Sequence, residues 1–158
     1  MERDRCGGVS DKGEAFMEIG ELVAIDTGPF IYYIEENRRF LSACEALFTP
    51  VQEGKMEIVT SIITLLEVLV QPLRRGRRDL ALMYRNLLLN SEGVTTVNLS
   101  PLIAEEAARL RAQYGILTPD AIQLATAIIS GSNAFVTSDK KLKRIKNIPV
   151  IHIEEFIA

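Results

Sequence analysis

The sequence predicts an α/β fold in which a parallel sheet of four to five strands carries helices on both faces. Three observations carry this expectation. The run Leu22–Ile25 is apolar at every position, which suits a strand buried on both faces, and four more short strand candidates recur along the chain. Longer stretches with helical periodicity separate them, and that alternation builds right-handed βαβ units. The 158 residues, 47% hydrophobic and 25% charged, are enough for one domain with a real core.

Residues 1–20 mix charges with Gly7, Gly8 and Gly13 and read as a poorly ordered extension, with a short helical piece over 15–19. The domain proper is 21–158. Its first strand is the apolar run Leu22–Ile25. Helices over 29–36 and 40–53 follow, then a strand over 56–60. The next helix, 61–72, is apolar nearly all round from Ile62 to Val70, which predicts a buried helix. A helix at Arg78–Asn90, a strand at Val94–Val97 and a helix at Pro101–Tyr114 continue the alternation. For the helix over 119–130, Thr118 reads as N-cap and Pro119 as first helical residue. A strand at Ala134–Thr137, a short helix over 140–146 and a strand over 150–153 complete the chain.

Several classes of function are excluded. The net charge of −3 and the pI near 5.3 argue against a protein that coats nucleic acid by general basicity. Four Tyr, six Phe and no Trp give little for a base-stacking binder. The single histidine, His152, rules out an imidazole pair or a multi-histidine metal site, and its place in the last strand reads as packing. Cys6 and Cys44 have neither zinc nor redox spacing. No nucleotide-binding glycine loop, serine-hydrolase elbow or zincin motif occurs. With no secretory h-region and no membrane-length apolar run, a cytoplasmic protein is expected.

In parallel sheets, ligands bind outside the carboxyl ends of the strands, and four acids gather attention there. Asp26 directly follows the first strand, although a turn or helix-capping role before Pro29 also accounts for it. Asp139 follows the strand Ala134–Thr137 and is equally readable as a cap. Glu67 interrupts the apolar helix, where a carboxylate is costly unless paired, hydrogen-bonded or metal-bound. Asp120 lies in the first turn of its helix, where the dipole alone favours negative charge. In a parallel sheet these places can converge on one rim. Carboxylates that cluster need a cation, and oxygen ligands without thiolate or imidazole select Mg²⁺ or Mn²⁺.

The ordered set of Asp26-Thr27 after a strand, Glu67, Thr118-Pro119-Asp120-Ala121 and Val136-Thr137-Ser138-Asp139, spaced by 41, 53 and 19 residues, resembles PIN-domain ribonucleases. Within them it is most similar to the VapC-type toxins of toxin–antitoxin pairs, over about 22–157. The resemblance implies a three-layer α/β/α sandwich and a metal site of Asp26, Glu67, Asp120 and Asp139 holding Mg²⁺ or Mn²⁺. It implies that Thr137 or Ser138 hydrogen-bonds the cluster. Gly28-Pro29, where many relatives carry a polar residue and then aliphatics, and Lys140-Lys141-Leu142, where many have an aromatic, depart from the pattern.

The implied activity is metal-dependent endoribonuclease hydrolysis, with the ion activating water and polarising the phosphate, and leaving 5′-phosphate and 3′-hydroxyl ends. Removing the four acids from the net charge leaves about +1, so RNA attraction must be local. Residues 74–78, with four arginines, and 140–146 are candidate phosphate contacts, or else solvated turns. The implied partners are RNA, a VapB-like antitoxin and a second copy in a homodimer. The strip Phe30, Ile31, Tyr32, Tyr33 and Ile34 is either an apolar contact or core packing. The alternatives are an RNA-processing nuclease without an antitoxin and a non-catalytic RNA-binding scaffold. A phosphotransfer protein is disfavoured because the first strand ends in no acidic pair.

Overall fold

The computed structural model describes residues 19–157, so the N-terminal extension, most of the expected helical piece over 15–19 and Cys6 lie outside the described residues. The described residues contain five strands: β1 (Leu22–Ile25), β2 (Glu57–Ser61), β3 (Val94–Val97), β4 (Ala134–Thr137) and β5 (Val150–His152). All pair in parallel in the order β3-β2-β1-β4-β5. Among the described residues six α-helices lie between them: α1 (Thr27–Ile34), α2 (Leu41–Gln52), α3 (Ile62–Arg74), α4 (Arg78–Asn90), α5 (Pro101–Tyr114) and α6 (Thr118–Ile129). The expected helix over 140–146 is a 3₁₀ turn, Lys140–Arg144.

The strand alternation divides the core in two, as side chains on successive residues point to opposite faces. Val23 and Ile25 join Phe30, Leu47, Ile58 and Tyr84 beneath α1, α2 and α4. Ala24 and Val59 face Leu110, Leu124 and Phe135 beneath α5 and α6. This is the three-layer sandwich. Emptying either core at one position, as in Leu124→Ala, is worth about 2–5 kcal/mol. Local signals agree with the boundaries. Ser61 and Ser100 accept the first free N–H groups of α3 and α5. Gly115 ends α5 in the left-handed conformation, φ 66°, with its N–H on Arg111 O.

Two further sequence expectations change, and one left open is resolved. The N-cap of α6 is Leu117, and Thr118 is already helical, its hydroxyl accepting from Arg111 Nη1 at 3.0 Å. Helix α3 is not buried all round: Val68 enters the first core and Ile63 the second, but Leu66, Val70 and Leu73 are exposed, as is Glu67. The helix straddles the sheet edge, so only part of its circumference finds cover. The strip in α1 is mostly packing, since Phe30 is buried, Tyr32 stacks on Phe40 and Tyr33 on Phe48. Among the described residues no helix is long and apolar enough to cross a membrane.

Candidate active site

The strand order reverses between β1 and β4, and parallel sheets open a crevice at that point. Ile25 is in register with Val136, so Asp26 and Asp139 leave neighbouring strands at the same edge. Thr137 ties them. Its hydroxyl donates to Asp26 Oδ2 at 2.8 Å and accepts from the Asp139 N–H at 3.0 Å. Asp26 also caps α1, its Oδ1 accepting from Thr27 N at 2.7 Å, and Asp139 caps the 3₁₀ turn through Lys141 N at 2.9 Å. Capping and clustering are therefore not rivals here, because a carboxylate has two oxygens and each cap uses one.

Helix α3 begins directly after β2, and Glu67 reaches back to the site. Thr27 Oγ1 donates to Glu67 Oε1 at 3.0 Å. Helix α6 leads into β4 and so runs antiparallel to it, which sets its first turn, with half-buried Asp120, at the edge where the strands end. Arg111 braces that entry, donating from Nε to Ile116 O at 2.9 Å.

The electrostatics record the proximity. Burial, first, and then the charges of Glu67 and Asp139 hold the Asp26 carboxyl above the ordinary aspartate range, against the opposing hydrogen bonds from Thr137 and Thr27. Burial also raises Asp120, with Asp26 and Asp139 adding to it. Among the described residues no lysine or arginine forms an ion pair with any of the four acids. Their donor chemistry, carboxylate oxygen alone, fits a hard divalent cation. Among the described residues, however, no three acid, thiol or imidazole groups stand close enough to enclose an ion. The four acids share one edge and one field without forming a closed cage.

Sequence reasoning missed the uncharged layer beneath them. Gln123 is 2% exposed and donates to Thr64 Oγ1 at 2.6 Å and Thr27 Oγ1 at 3.3 Å. The available signal was a lone amide among the mostly apolar buried positions of α6, where Thr126 is the other polar side chain. Gly28 also has a reason. A Cβ there would lie 2.0 Å from Ser138 Oγ and 2.8 Å from Ser138 Cβ. Of the two hydroxyls expected at the cluster, Thr137 bonds to it and Ser138 instead packs on Gly28. His152 supports this segment from behind: its Nδ1 accepts from Glu154 N at 3.1 Å, so its Nε2 carries the proton given to Ser138 O at 2.8 Å. The lone described cysteine, Cys44, is a free buried thiol pushed up to about 12 by desolvation, far from thiolate chemistry.

The fold recurs in solved structures. A chain of VapBC2 from Rickettsia felis, bound to a DNA fragment from the promoter, matches with TM-score 0.65 and 20% identity, covering 83% of this chain and 98% of that one. A chain of DNA-bound VapBC from Salmonella typhimurium gives 0.66 and 18%, covering 85% and 99%. A chain of a toxin–antitoxin complex from Klebsiella pneumoniae gives 0.60 and 27%, covering 83% and 97%. No curated protein matches the sequence. The PIN domain pattern runs through residues 23–148, from the first buried strand past Asp139, and the chain belongs to the PIN domain family.

Proposed function

We propose that the protein is a metal-dependent endoribonuclease, acting in the cytoplasm as the toxin of a type II toxin–antitoxin pair. The observation that carries this reading is a buried-to-exposed set of four carboxylates at the β1/β4 crevice, with no lysine or arginine ion pair among the described residues, and with Asp26 and Asp120 raised by burial and by neighbouring carboxylates. Asp26, Asp120 and Asp139 are the proposed ligands of Mg²⁺ or Mn²⁺, with Glu67 held directly or through water. Bound there, the ion supplies Lewis-acid polarisation of the scissile phosphate and activation of water.

The chain's own residues position and attract. Thr137 fixes the Asp26 carboxylate and the Asp139 main chain together. Arg74, Arg75 and Arg78 are exposed and carry no ion pair among the described residues, which supports phosphate contacts on that turn. The 140–146 segment offers less. Lys140 and Lys143 pair with Glu154 and Glu155, and Arg144 donates to Tyr114 O. The antitoxin partner is supported by the structural neighbours being toxin–antitoxin complexes. The homodimer is supported by the ridge of Leu66, Val70 and Leu73, which a monomer leaves in water.

The test maps the ends of RNA exposed to wild type, Asp26→Asn and Asp120→Asn, with and without Mg²⁺. The expected result is cation-dependent 5′-phosphate and 3′-hydroxyl ends for wild type, and at least about 100-fold slower cleavage by folded variants. Cleavage by Asp120→Asn at the wild-type rate overturns the assignment. Neutralisation by a co-expressed small antitoxin separates the toxin from an RNA-processing nuclease.

A further inference from the structure

Beneath the carboxylates, the uncharged groups repeat the layout of the acids above them. Thr27 follows Asp26. Thr64 is three residues before Glu67 on α3, and Gln123 is three residues after Asp120 on α6, so each shares a helix face with its acid. Thr64 and Gln123 are buried, at 0% and 2% exposure, where an unmade hydrogen bond is costly.

The proton directions in this layer follow from counting. A hydroxyl has one proton, and an amide nitrogen only donates. Thr60 spends its proton on Ile25 O at 2.8 Å, so in the 2.8 Å Thr60–Thr64 contact Thr64 is the donor. Thr64 must then accept from elsewhere, and Gln123 Nε2 lies 2.6 Å away. The reversed amide would claim Thr64's proton and leave no proton between Thr64 and Thr60. The same amide nitrogen donates to Thr27 Oγ1, whose own proton points at Glu67 Oε1. Two chains therefore leave one amide. One ends on the carbonyl just before Asp26, and the other on Glu67.

We infer that Gln123 is a positioning residue of the acid site, its amide setting the polarity of both chains and thereby pinning Glu67 and the β1–α1 junction. This rests on the acids being the metal site. Glu67 Oε1 is held, while Oε2 receives no hydrogen bond from the described residues and faces no competitor for a cation. Partners of this kind orient metal ligands, and losing them typically costs 10–100-fold in affinity or activity.

The test compares Gln123→Leu, Gln123→Glu, Thr27→Val and Thr27→Ser by Mn²⁺ calorimetry, RNA cleavage and the NMR signal of the Gln123 side-chain amide. Gln123→Leu, Gln123→Glu and Thr27→Val are expected to bind Mn²⁺ roughly 10–100-fold more weakly. Thr27→Ser keeps the hydroxyl and stays near wild type. The double variant Thr27→Val/Gln123→Leu should bind about as Gln123→Leu alone, since the second change cuts a chain already cut. Should Gln123→Leu fail to fold, the contrast between Thr27→Val and Thr27→Ser, at a half-buried position, decides the matter. Wild-type Mn²⁺ binding retained by Gln123→Leu and Thr27→Val overturns the role of Gln123 and leaves the metal reading standing. A wild type that binds no Mn²⁺ overturns that reading instead. An amide signal that Thr27→Val does not move overturns the hydrogen-bond chain on its own.

Discussion

Gly28→Ala probes whether the first turn of α1 and the segment carrying Asp139 are in contact as described. The new methyl would meet Ser138 Oγ at 2.0 Å and Ser138 Cβ at 2.8 Å. Rotating the hydroxyl away removes only the first clash, because the second involves the branch atom itself. The Ser138 backbone cannot retreat freely, being held by His152 on its carbonyl and by Thr137 on the next N–H. Overpacking of this sort costs about 1–3 kcal/mol. Against it, Ala gains about 0.5–1 kcal/mol over Gly in a helix. On the central values the clash wins, for a net loss of about 1 kcal/mol, or about 2–4 °C in Tm for a domain of this size. In a Ser138→Gly background, the nearest atom becomes the residue 138 Cα at 4.0 Å, an ordinary contact. There the same Gly28→Ala change should raise stability by about 0.5–1 kcal/mol. Thermal melts followed by circular dichroism at all four corners of the cycle give the coupling. An equal Tm drop in both backgrounds refutes the contact.

Asp26 and Asp120 titrate above the ordinary 3.8 in the fold, so folding takes up protons between that value and the raised ones. The cation-free protein therefore loses stability as pH rises through this window. Urea midpoints in EDTA from about pH 4 to 8 should show wild type falling relative to Asp26→Asn, and parallel curves would contradict the shift. Tyr84 is buried and its hydroxyl donates to Glu35 at the end of α1, so Tyr84→Phe should cost about 1–2 kcal/mol in urea unfolding with its m-value unchanged. Leu66→Glu and Leu73→Glu alter side chains that are 61% and 63% exposed, so stability should move by less than about 0.5 kcal/mol. Sedimentation should show both as monomers if α3 is the dimer face, and an unchanged dimer removes that face from consideration.

The strands were legible as short β-branched and apolar runs between helical stretches, and β1, β3 and β4 begin and end where the pattern does, although only β1 is apolar at every position and the edge strand β3, Val-Thr-Thr-Val, has no fully buried residue. Asp26 and Asp139 were legible for the same reason, as the first charges after such runs. Glu67 was found for a partly mistaken reason. Helix α3 is apolar all round, but that composition does not distinguish burial in this chain from an uncovered ridge, and the ridge is what the fold contains. Thr118 illustrates a smaller ambiguity: a Thr before Pro suits an N-cap or a first helical residue, and Arg111 settles it by binding the hydroxyl. Gln123 could be noticed as a lone amide, but its role was illegible because its partners, Thr64 and Thr27, lie 59 and 96 residues away. Gly28 became explicable only once Ser138, on another strand's exit, was seen against it.

The central strand is the first one made and its second neighbour is nearly the last. β1 can pair with β2 early, but β4, which delivers Asp139, arrives 108 residues or more after Asp26 has left the ribosome, and until then one edge of β1 stands open. A nascent or truncated chain ending before β4 holds three acids and no crevice. On the nuclease reading, the acid site is completed only when translation is nearly over, because the strand that carries Asp139 closes the crevice last.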